Sequence, residues 1–373
     1  MCGATLLCAC RGAGYTVFAP VPSFSGDILF SAKISGGRAQ YAYDGMREII
    51  DGIDEQVSLT DSDSDLSRFN NAVANERVEV GKYAYELFVL SLRYYELTGG
   101  AFNCAVSPLA ELWHTDATSL GMYAPDIDGS HISPPLPTAQ ETAETAAYCR
   151  PDTVSAWEEN GRYYLEKSDG RVKLDFGGIA KGYAVDKCVE VLERYSVASA
   201  LIDISGNAYF YGRYIGGDGD WRVGIMSPRP RAAQTLSRGY VCAVSLDGDV
   251  SAVTSGDYMR YYIHDNDDGS AVYVPHILGA DGVPIGVVSS GDGWKNDDEW
   301  VISATVTGES SAACDALSTA VCALGMEEGG ALLQKLGYKG LIFTEKRYTI
   351  IGDIRLHDPD VYDGHKDYEY HEL

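Results

Sequence analysis

The order of strand-like and helix-like segments constrains this chain more than any other feature. Apolar residues alternate over 28–34, then recur at helical spacing over 38–57 through Tyr41, Met46, Ile49, Ile50 and Ile53. A second amphipathic helix is expected over 83–98, stopped by Gly99-Gly100. Pro134, Pro135 and Pro137 mark a loop before a helix over 141–148. Strands at 163–165 and 172–174 read as a pair about the turn Ser168-Asp169-Gly170. After a glycine-rich stretch, Ala184, Val185, Cys188, Leu192 and Tyr195 fall on one helical face. Strands follow at 199–204, 221–225, 240–245, 258–264 and 300–306, then a helix over 312–324 and two closing strands within 340–353. Strand and helix mix without regular alternation. The expected class is α+β, with antiparallel and mixed sheets packed on helices, rather than a doubly wound parallel sheet. No repeat and no long linker divides the chain, so one large domain is expected over 21–356, with an acidic tail at 357–373.

The segment 1–20 reads differently. Ala4-Thr5-Leu6-Leu7-Cys8-Ala9-Cys10 is small, apolar and cysteine-rich, like the end of a lipoprotein signal with Cys8 or Cys10 as the lipidated residue. The basic start of such a signal would require a start codon upstream of Met1. An extracytoplasmic, envelope-associated protein is the corresponding expectation. The other six cysteines are scattered among apolar neighbours with no C-x-x-C pair, which argues for buried thiols and against a zinc site.

Charge narrows the partners. Lys plus Arg number 29 against 54 Asp plus Glu, a formal charge of −25. Such a surface repels phosphate backbones, so nucleic acid is excluded as a general partner. A small anionic ligand would need a cation at one point, most simply a divalent metal.

Three motifs bear on such a point. Asp175-Phe176-Gly177-Gly178-Ile179-Ala180-Lys181-Gly182 lies between strand and helix, where glycines admit a ligand close to the backbone and a helix start offers free N–H groups. It is neither a G-x-G-x-x-G nor a Walker A loop. Asp315 and Thr319 stand four apart on one helix, so carboxylate and hydroxyl share a face, a pair of hard oxygens suited to Mg²⁺. Asp61-Ser62-Asp63-Ser64-Asp65 imitates an EF-hand, but Leu66 and Ala72 occupy the positions that need Gly and Glu, so it reads as a solvated turn.

Taken in order, these stretches resemble the ApbE-like FAD:protein FMN transferases. The resemblance runs through Ser64-Asp65-Leu66-Ser67-Arg68-Phe69-Asn70, Gly100-Ala101-Phe102-Asn103, Leu174 to Asp186, Ile204-Ser205-Gly206-Asn207, Thr254-Ser255-Gly256-Asp257-Tyr258 and Asp315-Ala316-Leu317-Ser318-Thr319. It implies an Mg²⁺-dependent transfer of FMN from FAD to a Thr or Ser hydroxyl of an acceptor protein, a membrane redox subunit in type, with release of AMP. Relatives that hydrolyse FAD to FMN and AMP, or a flavin-binding lipoprotein without catalysis, are the alternatives. By resemblance the metal would be held by the Gly178 carbonyl, Asp315 and Thr319. The flavin nucleotide would touch Ala101, Phe102, Asn103, Asp175, Lys181, Ser255 and the Ile277-Leu278 backbone. His276 and Lys181 would be catalytic, the histidine in proton transfer and the lysine in charge stabilisation. Asp315→Ala would remove a surface ligand and spare the fold. The chain departs from the family pattern at Thr60, where an aromatic residue usually stacks on the flavin, and at Asn103, Ser107 and Ser205. It departs again in the shortened loop Ile277-Leu278-Gly279-Ala280-Asp281-Gly282-Val283-Pro284, and 289–300 reads as an acidic insertion.

Overall fold

A computed structural model describes residues 14–24, 28–116, 118–120, 133–229, 239–291, 293–357 and 368–373. Cys8 and Cys10 lie outside these residues. The first half runs β1 (Tyr15–Ser23), β2 (Ile28–Ser35), α1 (Ala39–Val57), α2 (Asp65–Asn71), β3 (Val78–Val80), α3 (Lys82–Leu97), α4 (Ser107–Leu112), α5 (Ala139–Ala146), β4 (Val154–Glu159) and β5 (Arg162–Lys167). Next come α6 (Ala180–Arg194), β6 (Ala200–Ile204), β7 (Asn207–Tyr211), β8 (Trp221–Met226), β9 (Tyr240–Leu246), β10 (Val250–Gly256), β11 (Tyr261–Asp265) and β12 (Ala271–Pro275). The chain finishes with β13 (Val287–Ser290), β14 (Gly293–Asn296), β15 (Val301–Gly308), α7 (Ser311–Leu324), α8 (Met326–Leu336), β16 (Lys339–Thr344), β17 (Arg347–Ile351), β18 (Leu356–His357) and β19 (Glu369–Tyr370).

A nine-stranded sheet, ordered β1-β2-β6-β7-β10-β15-β16-β17-β19, organises the molecule. Neighbours are antiparallel except β17 and β19. Side chains alternate across it as the two-residue period requires. Ala200, Ile202 and Ile204 of β6 join Met46 and Ile50 of α1, Val185 and Cys188 of α6, and Leu317 and Val321 of α7 in one core. Leu201, Phe210, Ala252 and Phe343 join Trp221, Val223 and Ile225 of β8 in a second. This two-sided burial explains why β6 is buried at every position. The expected α+β class holds, and no helix among the described residues is long and apolar enough to cross a membrane.

One expectation is corrected. Residues 172–174 do not pair with 163–165. Instead β5 pairs with β4 across Asn160-Gly161, and on its other edge with β3. Both turn residues have positive φ (55° and 76°), the conformation a two-residue hairpin needs and Asn-Gly favours. Leu174 is held by a side chain instead: Asn70 donates to its carbonyl (2.8 Å) and accepts from its N–H (2.7 Å). Within 289–300, β13 and β14 form a hairpin whose Trp294 packs edge-on against Trp113. At the chain ends, β1 crosses the position-20 boundary, and Glu369–Tyr370 within the acidic tail pairs with β17.

The turn at 61–65 serves α2: Ser64 is its N-cap, accepting from Ser67 N–H at 3.0 Å. Cys104, Cys149, Cys188, Cys242, Cys314 and Cys322 are free and buried. Burial raises the thiols of Cys104, Cys149 and Cys242 to about 12, so they act as small apolar side chains.

Candidate active site

The site begins with how α6 and α7 are joined. Asp186 of α6 accepts from the first N–H groups of α7, Ser311 (2.6 Å) and Ala312 (3.1 Å), and from the Ser310 hydroxyl (2.8 Å). A carboxylate at a helix start satisfies orphan donors and complements the helix dipole. One turn earlier, a side chain on Gly182 would overlap the Ser311 carbonyl, so only glycine lets the helices approach this closely.

That approach delivers Gly182 N–H to Asp315. The Asp315 carboxylate, 2% exposed, accepts this hydrogen bond at 2.9 Å and has the Lys181 ammonium 3.6 Å away. It is therefore not a surface ligand, as expected from sequence, but a buried acid whose loss would orphan a backbone donor. Burial raises its pKa, and Lys181 and Gly182 N–H act the other way. Lys181 also donates to the Gly177 carbonyl at 2.7 Å, which draws its charge back over the glycine turn.

The turn itself is fixed at both ends. Asp175 N–H donates to the Cys104 carbonyl, and the Asp175 carboxylate accepts from Gly177 N–H, each at 2.7 Å. Lys167 is buried with its ammonium on the carbonyls of Asn70 (2.9 Å) and Val172 (2.8 Å), and burial lowers its pKa to about 8. A Cβ placed on Gly178 would lie 3.2 Å from the Phe102 ring and 3.4 Å from the Thr319 hydroxyl. The structure thus brings Gly178, Lys181, Asp315, Thr319 and Phe102 together from three separate stretches of sequence.

Ser255 joins them from β10, its hydroxyl 2.8 Å from Ser318 Oγ and 3.3 Å from Thr319 Oγ1. His276 is half-buried beyond the end of β12. Its Nδ1 lies 3.0 Å from the Arg260 carbonyl. A carbonyl only accepts, so Nδ1 carries the proton and the neutral ring presents Nε2 as a base. Desolvation, then the nearby Arg260 and Lys181 charges, lowers its pKa to about 4.

The other residues expected at the flavin nucleotide make the following contacts within the chain. Asn103 donates to the Cys149 carbonyl (2.9 Å) and accepts from Ala105 N–H (2.8 Å), so its side chain braces the loop. Ala101 and Phe102 are buried, and Phe102 N–H is held by the Thr98 hydroxyl at 3.0 Å. The Ile277 carbonyl accepts from Ile285 N–H (2.9 Å), and Gly279 N–H donates to the Val283 carbonyl (2.7 Å), closing the short loop on itself. Thr60 is exposed and hydrogen-bonded to Ser58.

The chemistry of the donors fits a hard divalent cation: one buried carboxylate, one hydroxyl and a carbonyl-bearing glycine turn, leaving room for phosphate oxygens and water. No group of three or more His, Cys, Asp or Glu side chains gathers among the described residues, and this donor set does not call for one. Sequence reasoning gave no role to Asp186, Asn70 or Asn207. All three lie inside quoted motifs, but what they hold is distant in the chain and invisible to spacing.

Fold and site define a single-domain α+β protein whose main sheet carries a cluster of polar side chains between two helices and a glycine turn. The chain belongs to the ApbE family, whose model matches residues 27–342. It is 30% identical over 301 residues to an FAD:protein FMN transferase of Treponema pallidum, covering 78% of this chain and 74% of that one. It is 26% identical over 304 residues to one of Klebsiella pneumoniae, covering 82% of each. Among solved structures, the ApbE protein of Thermotoga maritima superposes with a TM-score of 0.69 at 25% identity, covering 93% and 98% of the two chains. The apo flavinyl transferase ApbE of Pseudomonas stutzeri gives 0.67 at 25%, covering 88% and 91%.

Proposed function

We propose that this chain is an FAD:protein FMN transferase that works with Mg²⁺ and passes FMN to a Thr or Ser hydroxyl of an acceptor protein, releasing AMP. The observation that carries the reading is the meeting of Gly178, Lys181, Asp315 and Thr319 in a member of this family. The acceptor oxygen attacks the FMN phosphorus, a new P–O bond forms, and the bridging P–O bond breaks with its electron pair leaving on AMP. The hydroxyl proton goes to a base, and His276 Nε2 is the group in the right tautomer to take it. Lys181 places positive charge beside the pyrophosphate. Asp315, Thr319 and the Gly178 carbonyl would hold the cation, which when bound neutralises pyrophosphate charge. We further propose an extracytoplasmic enzyme, anchored through Cys8 or Cys10, acting on a membrane redox subunit. The apolar, cysteine-rich segment Ala4 to Cys10 supports this.

The self-closed loop 277–285 favours one rival, a flavin-binding protein without catalysis. Incubation with FAD, Mg²⁺ and a flavin-acceptor domain separates the readings. AMP together with an FMN-sized mass gain on the acceptor supports the transferase. AMP with free FMN converts the reading to FAD hydrolysis, and absence of AMP overturns both enzymatic readings.

A further inference from the structure

Asn207 opens β7 directly after the turn Ser205-Gly206, both of whose residues have positive φ (45° and 93°). The turn is pinned from two directions: Asp203 accepts from Gly206 N–H at 3.0 Å, and the Ser205 hydroxyl accepts from Leu29 N–H at 2.8 Å. Asn207 is therefore presented by rigid backbone. It pairs with Val253 of β10, so its side chain shares that residue's sheet face, which packs on α7. With its amide nitrogen turned to the helix, Asn207 donates to both Asp315 oxygens, at 3.2 and 3.3 Å, and the residue is 1% exposed.

Ser255 lies two residues beyond Val253 on the same face and contacts Thr319. Two strand residues advance about 6.6 Å, and four helical residues about 6 Å. The sheet therefore offers one polar side chain to each member of the Asp315/Thr319 pair. The protons fall in a definite order. Ser318 and Thr319 hydroxyls both donate to the Asp315 carbonyl, at 3.0 and 3.2 Å. Ser255 is then the donor in its bond to Ser318, and Thr319 Oγ1 keeps its lone pairs for a ligand.

We propose that Asn207 is a positioning residue for the cation site: it holds the plane of the Asp315 carboxylate, so that this group and the Thr319 hydroxyl, itself held by its bond to the Asp315 carbonyl, present lone pairs to one point. This rests on the reading of Asp315 and Thr319 as metal ligands. Asn207 touches neither FAD nor acceptor in this role; it acts through Asp315. Partners behind the ligands commonly contribute 10–100-fold to metal affinity.

The test is a Mn²⁺ titration of the full chain with FAD present and no acceptor, free Mn²⁺ being counted by its electron paramagnetic resonance signal. Mn²⁺ replaces Mg²⁺ on hard oxygen ligands. Asn207→Leu keeps the branching and heavy-atom count of the side chain and removes the donor. The expected result is a Mn²⁺ midpoint raised roughly 10–100-fold. A wild-type midpoint in folded Asn207→Leu overturns the proposal, even if its metal-free melting temperature falls, since that is what a merely structural asparagine would do. Should Asn207→Leu not fold, Asn207→Ser keeps a shorter polar side chain; a raised midpoint supports the proposal and an unchanged one overturns it. If the wild type binds no Mn²⁺, the metal reading fails and takes this inference with it, an outcome distinct from failure of the variant alone.

Discussion

On one side of the site, Asp315 is sealed between α6, α7 and the sheet, with Gly182 N–H, Lys181 and Asn207 around its carboxylate. By contrast, among the residues that the family resemblance assigns to flavin and acceptor, Thr60 stands in solvent, Asn103 turns to Cys149, and loop 277–285 bonds to itself. The first set cannot change without disturbing helix packing, because its glycines and carboxylates also join secondary structure. The second can change freely, because its polar groups are satisfied locally. Under the proposed function, cation and pyrophosphate handling would belong to the core, and flavin and acceptor recognition to the rim.

The sharpest way to break that contrast is Asp315→Asn. The amide keeps the shape and an oxygen for Gly182 N–H but loses the charge. FMN transfer should fall about 10³-fold or more, the several kcal/mol expected of a lost metal ligand. The metal-free melting temperature should fall, since Lys181 loses its carboxylate partner and the new amide places an NH₂ among donors. Rates and melts of one preparation check both. Transfer at near wild-type rate would place the cation elsewhere.

His276→Gln probes the boundary between core and rim. Loss of a general base should lower transfer about 10²-fold. In the wild type, a pKa lowered to about 4 leaves the imidazole neutral from pH 6 to 8. This group therefore contributes a flat rate profile there, with a decline only as pH falls toward 4. The stability sign follows from the same shift. The unfolded chain, with a histidine pKa near 6.5, binds more protons between about 4 and 6.5, so stability at this group rises with pH across that window and is lost on acidification. Urea titrations of wild type and His276→Gln at pH 5 and 7 test it. A pH dependence equal in both proteins would remove His276 as its source.

The contrast also explains what could be read from sequence. Asp315 and Thr319 were legible because four residues on a helix share a face whatever the helix packs on. The glycine turn was legible because its residue types are restricted by backbone geometry. Asn207 was not, since its role depends on a strand register and on a helix more than a hundred residues later. Residues 172–174 misled for a related reason. Their apolar pattern is that of a strand, but the clamp on Leu174 comes from Asn70, and the true hairpin signal was Asn160-Gly161. Burial of Asp315 was equally hidden, because an acid on a helix reads as solvent-facing until Gly182 brings a second helix over it.

Lys181→Met should cost about 10–100-fold in transfer, the loss of one charge-assisted contact to the pyrophosphate. Lys181 also faces Asp315 at 3.6 Å, so its removal deprives the buried carboxylate of a cation. The variant should then depend more steeply on Mg²⁺ for thermal stability than the wild type does. Melting curves across Mg²⁺ concentration read this directly, and parallel curves for the two proteins would show that Lys181 does not sense the cation.

Thr60→Tyr should have the smallest effect, and it sharpens the comparison from the opposite side. Thr60 is exposed, on the loop that follows α1, with its hydroxyl on Ser58. Nothing in the core needs it, so a larger side chain should leave the melting temperature unchanged. The resemblance to the family places an aromatic residue here against the flavin. A stacked ring is worth about 0.5–1.5 kcal/mol beyond its buried area, or roughly 2–12-fold in affinity. FAD binding, followed by quenching of flavin fluorescence, should tighten by that factor, while the Mg²⁺ midpoint for transfer stays fixed because the cation is set at Asp315 and Thr319. If FAD affinity does not move, flavin recognition in this chain does not use the rim at Thr60. If the Mg²⁺ midpoint shifts with it, core and rim are coupled and the division between them fails.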